Sequence, residues 1–293
     1  MRTDSGDAHF LHERPALQAL VSPGVDHPRA ICWVPNDEAL VLAARSGALT
    51  LFEPAYGTRS LGEAVADPAR MHIAGDRIAV LSSTGILDVR SWPELAPTYR
   101  VATGLIGHLN LVCWAGGVAV AGDDGAGVRR VIAYDGGGKM VGRVKVPLRV
   151  AVGVLQNGFI YLARGTTEGM SVTPVGRPIP PGEGTAHVLR VSESGAVLGI
   201  AAGGVTLWRG AQEPPVTIKC FDASAAALSP DGEHVAIGTR IGRIAYARPR
   251  PGDALRGNPV RVEGHNTAVF AVEFSRRARW LATCAERCWV WSY

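Results

Sequence analysis

Along this 293-residue chain an aromatic or β-branched strand end recurs about every forty residues, at Phe52, Trp92, Tyr134, Val175, Trp208, Tyr246 and Trp291. The intervals run from 33 to 45 residues, filled by short apolar runs and glycine-bearing turns such as Ser46-Gly47 and Thr84-Gly85. A unit of that length built from strands cannot bury both of its faces alone, so it has to stack on its neighbours. The period predicts an all-β, seven-bladed β-propeller, one repeat to a blade. Blades are expected to begin near residues 27, 68, 107, 148, 186, 223 and 264, which makes residues 1–293 a single domain.

The apolar runs support stacking on both faces. Ala39-Leu40-Val41-Leu42-Ala43-Ala44 is apolar without interruption, the pattern of a strand covered on two sides. Hydrophobic residues make up 47% of the chain and charged ones 19%, which suits a packed core and excludes disorder. The last repeat, Val269 to Trp291, has three strands and no residues left for an outer one. Residues 1–26 form an N-terminal arm whose Ala16-Leu17-Gln18-Ala19-Leu20-Val21 reads as a strand. It is expected to pair onto the C-terminal blade and close the ring, removing an exposed sheet edge.

Charge and cysteine usage narrow the setting. The net charge is +4, without the concentrated basic runs of a dedicated nucleic-acid binder. Arginine supplies nearly all of the positive charge, lysine occurring only at Lys139, Lys145 and Lys219, a bias that fits a GC-rich bacterial genome. Five cysteines without framework spacing, two of them in apolar strands (Cys32 and Cys113), fit a reducing cytoplasm. The first residues carry acids where a signal peptide needs an apolar core, and no apolar run approaches membrane-spanning length. A cytoplasmic protein without a membrane partner is expected.

Gly264-His265-Asn266-Thr267-Ala268-Val269-Phe270, leading to Trp289-Val290-Trp291, resembles a WD-repeat blade. Gly107-His108 and His27 keep the same offset to an apolar strand residue, and the Ser229-Pro230-Asp231-Gly232 turn is also similar to that family. No blade ends in Trp-Asp, and the Asp that would bond a blade's His is visible only as Asp123 or Asp124, so the likeness is to a divergent WD-repeat-like propeller. It implies a scaffold for protein partners without chemistry of its own, and His27, His108 and His265 are expected to be structural hydrogen bonders.

Catalytic signatures are missing. There is no Gly-x-Ser-x-Gly elbow and no phosphate-binding Gly-x-x-x-x-Gly-Lys loop. Cys284 and Cys288 flank a turn but have no second ligand pair near in sequence. The innermost strands carry almost no carboxylates of the kind that hold a channel metal in propeller hydrolases. No catalytic residue, metal or cofactor is expected.

Arginine remains. Arg29, Arg70 and Arg149 sit where the chain leads into innermost strands, and Arg45, Arg164, Arg240 and Arg287 at turns between second and third strands. In a propeller those two kinds of loop share one face, so these seven form a candidate partner-binding surface for an acidic protein segment. The function expected is a non-catalytic interaction scaffold or adaptor subunit of a bacterial multi-protein complex. The alternatives are a lactonase-type hydrolase with a channel metal, or a nucleic-acid-binding propeller, whose affinity would fall steeply with salt.

Overall fold

A computed structural model describes residues 17–20, 27–35, 39–53, 56–114, 116–145, 150–154, 160–166, 169–173, 188–192, 196–201, 204–209, 213, 216–220, 222–249, 265–277 and 280–292. The described residues are all-β, in antiparallel sheets consistent with a β-propeller. The chain enters on β1 (Leu17–Leu20), which belongs to the last sheet. The first sheet holds β2 (Pro28–Trp33), β3 (Leu40–Ala44), β4 (Ala48–Glu53) and β5 (Gly57–Glu63). The second holds β6 (Pro68–Ala74), β7 (Arg77–Ser82), β8 (Ile86–Ser91) and β9 (Pro97–Ala102), and the third β10 (Leu105–Trp114), β11 (Gly117–Asp124), β12 (Arg129–Asp135) and β13 (Met140–Lys145).

Three described strands make the fourth sheet, β14 (Val150–Val154), β15 (Ile160–Thr166) and β16 (Gly169–Thr173). The fifth is β17 (Val188–Val191), β18 (Val197–Ala201), β19 (Gly204–Trp208) and β20 (Val216–Ile218). The sixth is β21 (Ala223–Leu228), β22 (Val235–Thr239) and β23 (Ile244–Ala247). Residues 250–264, which follow, lie outside the described residues. In the seventh, β24 (Ala271–Phe274), β25 (Trp280–Cys284) and β26 (Cys288–Ser292) are joined by β1, in the register Leu17 opposite Trp291 and Leu20 opposite Cys288.

Successive sheets touch through their first strands. β2 lies against β6, β6 against β10, β10 against β14, β14 against β17, β17 against β21, β21 against β24, and β24 against β2. The core is correspondingly divided into clusters between neighbours. Strand β3 shows how: Val41 and Ala43 pack toward the second sheet with Ile73, Ile78 and Val80, whereas Leu40 and Leu42 pack toward the seventh with Ala282 and Val290. Strand β7 repeats the division, with Ile78 and Val80 on one side and Ala79 and Leu81 on the other. Alternate side chains serve different interfaces, which is why these strands are apolar at every position. Each fully buried Leu, Ile or Val contributes roughly 1.5–3 kcal/mol relative to exposure.

No helix among the described residues is long and apolar enough to cross a membrane.

Candidate functional site

The lead-ins to first strands and the turns between second and third strands meet on one side of the sheets. The Ala64 N–H donates to Gly47 O (2.8 Å), Asp67 to Arg45 O (2.7 Å) and Thr103 to Gly85 O (2.9 Å). At the sixth and seventh sheets Arg240 donates to Asp222 O (2.8 Å) and Val269 to Thr239 O (3.0 Å). Gly85 makes the geometry possible: its φ is +80°, and a Cβ there would collide with the Leu105 carbonyl. Only glycine takes that conformation at so close a backbone approach without strain.

The arginines singled out from the sequence do not all stand together on this face. Arg29, Arg45, Arg240 and Arg287 are exposed, the last three at turns after second strands. Arg164 falls within β15, opposite Val150, rather than in the turn that follows. Arg149 lies outside the described residues. Arg70 is drawn inward. In sheet one the register slips between Pro28 and Ala30, in sheet two between Pro68 and Arg70. Arg29 is therefore the extra residue of a bulge and is pushed out, and its counterpart is Ala69. Arg70 instead occupies a paired position, opposite Leu81.

Several arginines on the strands are matched by carboxylates. Asp88 accepts from Arg90 Nε (3.1 Å) and Arg100 Nη2 (2.8 Å), Asp123 from Arg129 Nε (2.8 Å), and Asp124 from Arg130 Nε (2.6 Å). The Arg130 and backbone bonds hold the Asp124 carboxyl below its ordinary range. Asp123 and Asp124 thus serve as arginine partners. Arg29, Arg45, Arg240 and Arg287 have no ion-pair partner among the described residues. Two large apolar side chains are also exposed, Ile241 at 57%, next to Arg240 in the same turn, and Ile106 at 49% on β10.

One histidine at a blade lead-in forms a buried relay. His265 Nε2 lies 2.9 Å from Thr283 Oγ1, which also accepts from Trp291 Nε1 at 3.0 Å. Burial lowers the His265 pKa, partly opposed by the nearby Glu286 carboxylate. Glu286 accepts from Asn266 N (3.0 Å) and Thr267 Oγ1 (2.7 Å), tying this lead-in to the β25–β26 turn. His27, by contrast, is exposed at φ +41°. The side chain of His108 lies outside those described.

The innermost strands carry charge that sequence reasoning missed. Arg70 and His72 on β6, Arg190 on β17 and Glu273 on β24 are each only partly buried, His72 and Glu273 between buried neighbours. Burial, and then the positive charge of Arg190, lower His72 to about 4 and Arg70 to about 10. Burial raises Glu273, against the opposing pull of Arg190 and Arg70. His72 Nδ1 accepts from Cys113 N (3.2 Å), and Trp33 Nε1 donates to Glu273 O (3.1 Å), each bond joining neighbouring sheets. The available signal was a lone charge within a short apolar strand, as in Val188-Leu189-Arg190-Val191 and Ala271-Val272-Glu273-Phe274.

Cys284 and Cys288 face each other directly across β25 and β26, both buried as free thiols. Burial raises the Cys284 thiol first, with Cys288 adding to it. No group of three or more His, Cys, Asp or Glu side chains among the described residues is placed to hold a metal ion.

No family model matches the chain, and no curated protein matches it in sequence. Solved structures do. U3-55K superposes with a TM-score of 0.69 at 14% identity, over 94% of this chain and 98% of that one. Chaetomium thermophilum Raptor superposes with a TM-score of 0.65 at 13% identity, over 94% of this chain. This chain spans only 28% of the Raptor chain. At such identities the likeness is one of fold.

Proposed function

We propose that this chain is a non-catalytic interaction scaffold, a seven-bladed WD-repeat-like propeller closed by its N-terminal strand, that binds an acidic segment of a protein partner. The observation that carries the reading is the set of four exposed arginines, Arg29, Arg45, Arg240 and Arg287, that have no ion pair among the described residues, whereas Arg90, Arg100, Arg129 and Arg130 on the strands are matched by carboxylates. Guanidinium groups grip carboxylates bidentately, and an exposed, uncompensated set favours anionic partners at long range. Ile106 and Ile241 add apolar contact of the kind that gives such a surface affinity as well as steering.

The ring reading is supported by the cyclic contacts of the first strands and by the pairing of β1 with β26. The His265–Thr283–Trp291 relay supports the WD-repeat-like assignment, and the likeness to U3-55K and Raptor supports the fold. Five buried free thiols suit a reducing bacterial cytoplasm.

The test is partner recovery from the native host with wild-type protein and with an Arg45→Glu, Arg240→Glu, Arg287→Glu triple variant of unchanged melting temperature. Partners captured by the wild type are expected to be lost from the variant and weakened by added salt. The same partners retained by the variant would overturn the assignment of this face.

A further inference from the structure

Arg240 and Ile241 stand side by side in the turn between β22 and β23, both exposed, and a further exposed arginine, Arg243, closes it. The turn is held from within. Thr239, fully buried, donates its N–H to Arg243 O (2.9 Å) and accepts from Gly242 N (3.2 Å), and its Oγ1 accepts from Arg243 N (2.9 Å). It is also held from outside. Gly242 has a φ of +82°, and a Cβ there would lie 2.5 Å from the His265 carbonyl oxygen, so the turn rests directly on the lead-in to the seventh sheet.

That lead-in joins the turn to another arginine. Val269 N donates to Thr239 O at 3.0 Å, while Asn266 N and Thr267 Oγ1 donate to Glu286, the residue before Arg287. Asn266, Thr267 and Ala268 are exposed between the two turns. Arg240, Ile241 and Arg243 therefore flank the lead-in on one side and Arg287 on the other. None of the three arginines has an ion pair among the described residues. The carboxylates on these elements have other partners: Asp222 accepts from Cys220 Sγ at 3.6 Å, and Glu286 from Asn266 and Thr267.

Exposed arginines alone attract any anionic segment and discriminate little between them. An aliphatic side chain fixed among them adds a contact that depends on what the segment carries. Because its backbone is already tied down, Ile241 gives up little freedom when it is covered.

We propose that this patch is the specificity element of the partner-binding face, an assignment that rests on that face binding an acidic protein segment. It takes an extended segment in which a large aliphatic residue has an acidic residue two positions away on each side. Side chains two apart face the same way in an extended chain, so the acids meet the guanidinium groups while the aliphatic side chain covers Ile241.

Fluorescence anisotropy of the full chain with two labelled nonapeptides tests it. Both consist of glycine and serine with two glutamates four positions apart; one has leucine midway between the glutamates, the other serine. The leucine peptide is expected to bind about tenfold more tightly, as covering most of one aliphatic side chain provides. Ile241→Ser should bring the leucine peptide down to the affinity of the serine peptide, itself unchanged. Ile241→Leu should preserve the preference. Arg240→Gln, Arg243→Gln and Arg287→Gln should each weaken both peptides about three- to tenfold and leave their ratio intact. Equal affinities of the two peptides for the wild type, or a preference that survives Ile241→Ser, would overturn the specificity assignment and leave acidic binding standing. Absence of saturable binding by either peptide would count against acidic binding as well, so the two failures register separately.

Discussion

Replacing Thr283 by valine isolates the relay that joins the lead-in of the last sheet to its second and third strands. The side chain is fully buried, and its Oγ1 lies 2.9 Å from His265 Nε2 and 3.0 Å from Trp291 Nε1. Valine keeps the shape and removes the hydroxyl, so the Trp291 N–H and the His265 ring nitrogen both lose their partner. The other ring nitrogen, Nδ1, is already buried without one among the described residues, so ring rotation offers no compensation. A stranded buried polar group costs about 1–3 kcal/mol, and two together about 2–5 kcal/mol. For a domain of this size that is a fall of roughly 3–8 °C in melting temperature. Urea unfolding at constant m-value is the assay. Thr283→Ser keeps the oxygen and gives up a methyl, so its loss should stay near 1 kcal/mol. The order is the decisive result: if Val costs no more than Ser, the hydroxyl is not what holds Trp291 and His265. A cycle with His265→Ala should also give a coupling of about 1 kcal/mol or more for groups in direct contact.

Deleting residues 1–24 removes β1 and bares the β26 edge, so melting temperature should drop and self-association appear; an unchanged melting curve would refute the closing role of that strand. Asp88→Asn leaves Arg90 and Arg100 facing a neutral amide at a position 2% exposed, with an expected cost of about 1–3 kcal/mol by urea unfolding, moderated because Arg100 is open to water. Stability should decline on acidification from pH 7 to 5. An unfolded His72 takes up a proton below its ordinary 6.5, whereas the folded one does so only near 4, so the unfolded state binds more protons in that window. His234 and His265, both lowered by burial, act in the same direction, and Glu273, raised by burial, acts against them at the acid end. A melting temperature higher at pH 5 than at pH 7 would contradict these assignments.

The strands were legible because their constraint is local. Leu40 to Ala44 must satisfy two neighbouring sheets at once, and only an uninterrupted apolar run does so. The strand read at Ala16–Val21 was visible for a related reason, as an apolar segment left over beside a last repeat with no outer strand. The inner-strand charges were not legible as a set, because Arg70, Arg190 and Glu273 are separated by more than eighty residues at each step and lie on the first strands of three different sheets. Arg70 also illustrates a limit of spacing. The bulge follows the proline in both sheets, but Arg29 is the bulged residue after Pro28 whereas Arg70 comes one residue later, beyond Ala69, and that one-residue difference turns one guanidinium outward and the other inward. His27 and His265 diverge likewise: the hydroxyl that receives His265 is Thr283, a partner found only by folding the sheet.

Low identity to the superposing structures follows from the same physics. A strand buried on both faces needs an apolar side chain of about the right volume at each position, and many sequences meet that requirement. Turn glycines such as Gly85 and a few buried polar bonds fix the rest, so the fold persists at 13–14% identity. Conserving the fold therefore places almost no demand on the loops, and the loops are where this chain departs from neutrality. Asp88, Asp123 and Asp124 compensate arginines that strand pairing holds in place, whereas the turn-face arginines could have been any small turn residue at no cost to the sheets. Thr84 and Gly125, in the corresponding turns of the second and third sheets, are instances of that alternative. A residue type that folding does not require, repeated at Arg45, Arg240 and Arg287 with no ion pair among the described residues, is more economically explained by something outside the chain than by anything within it.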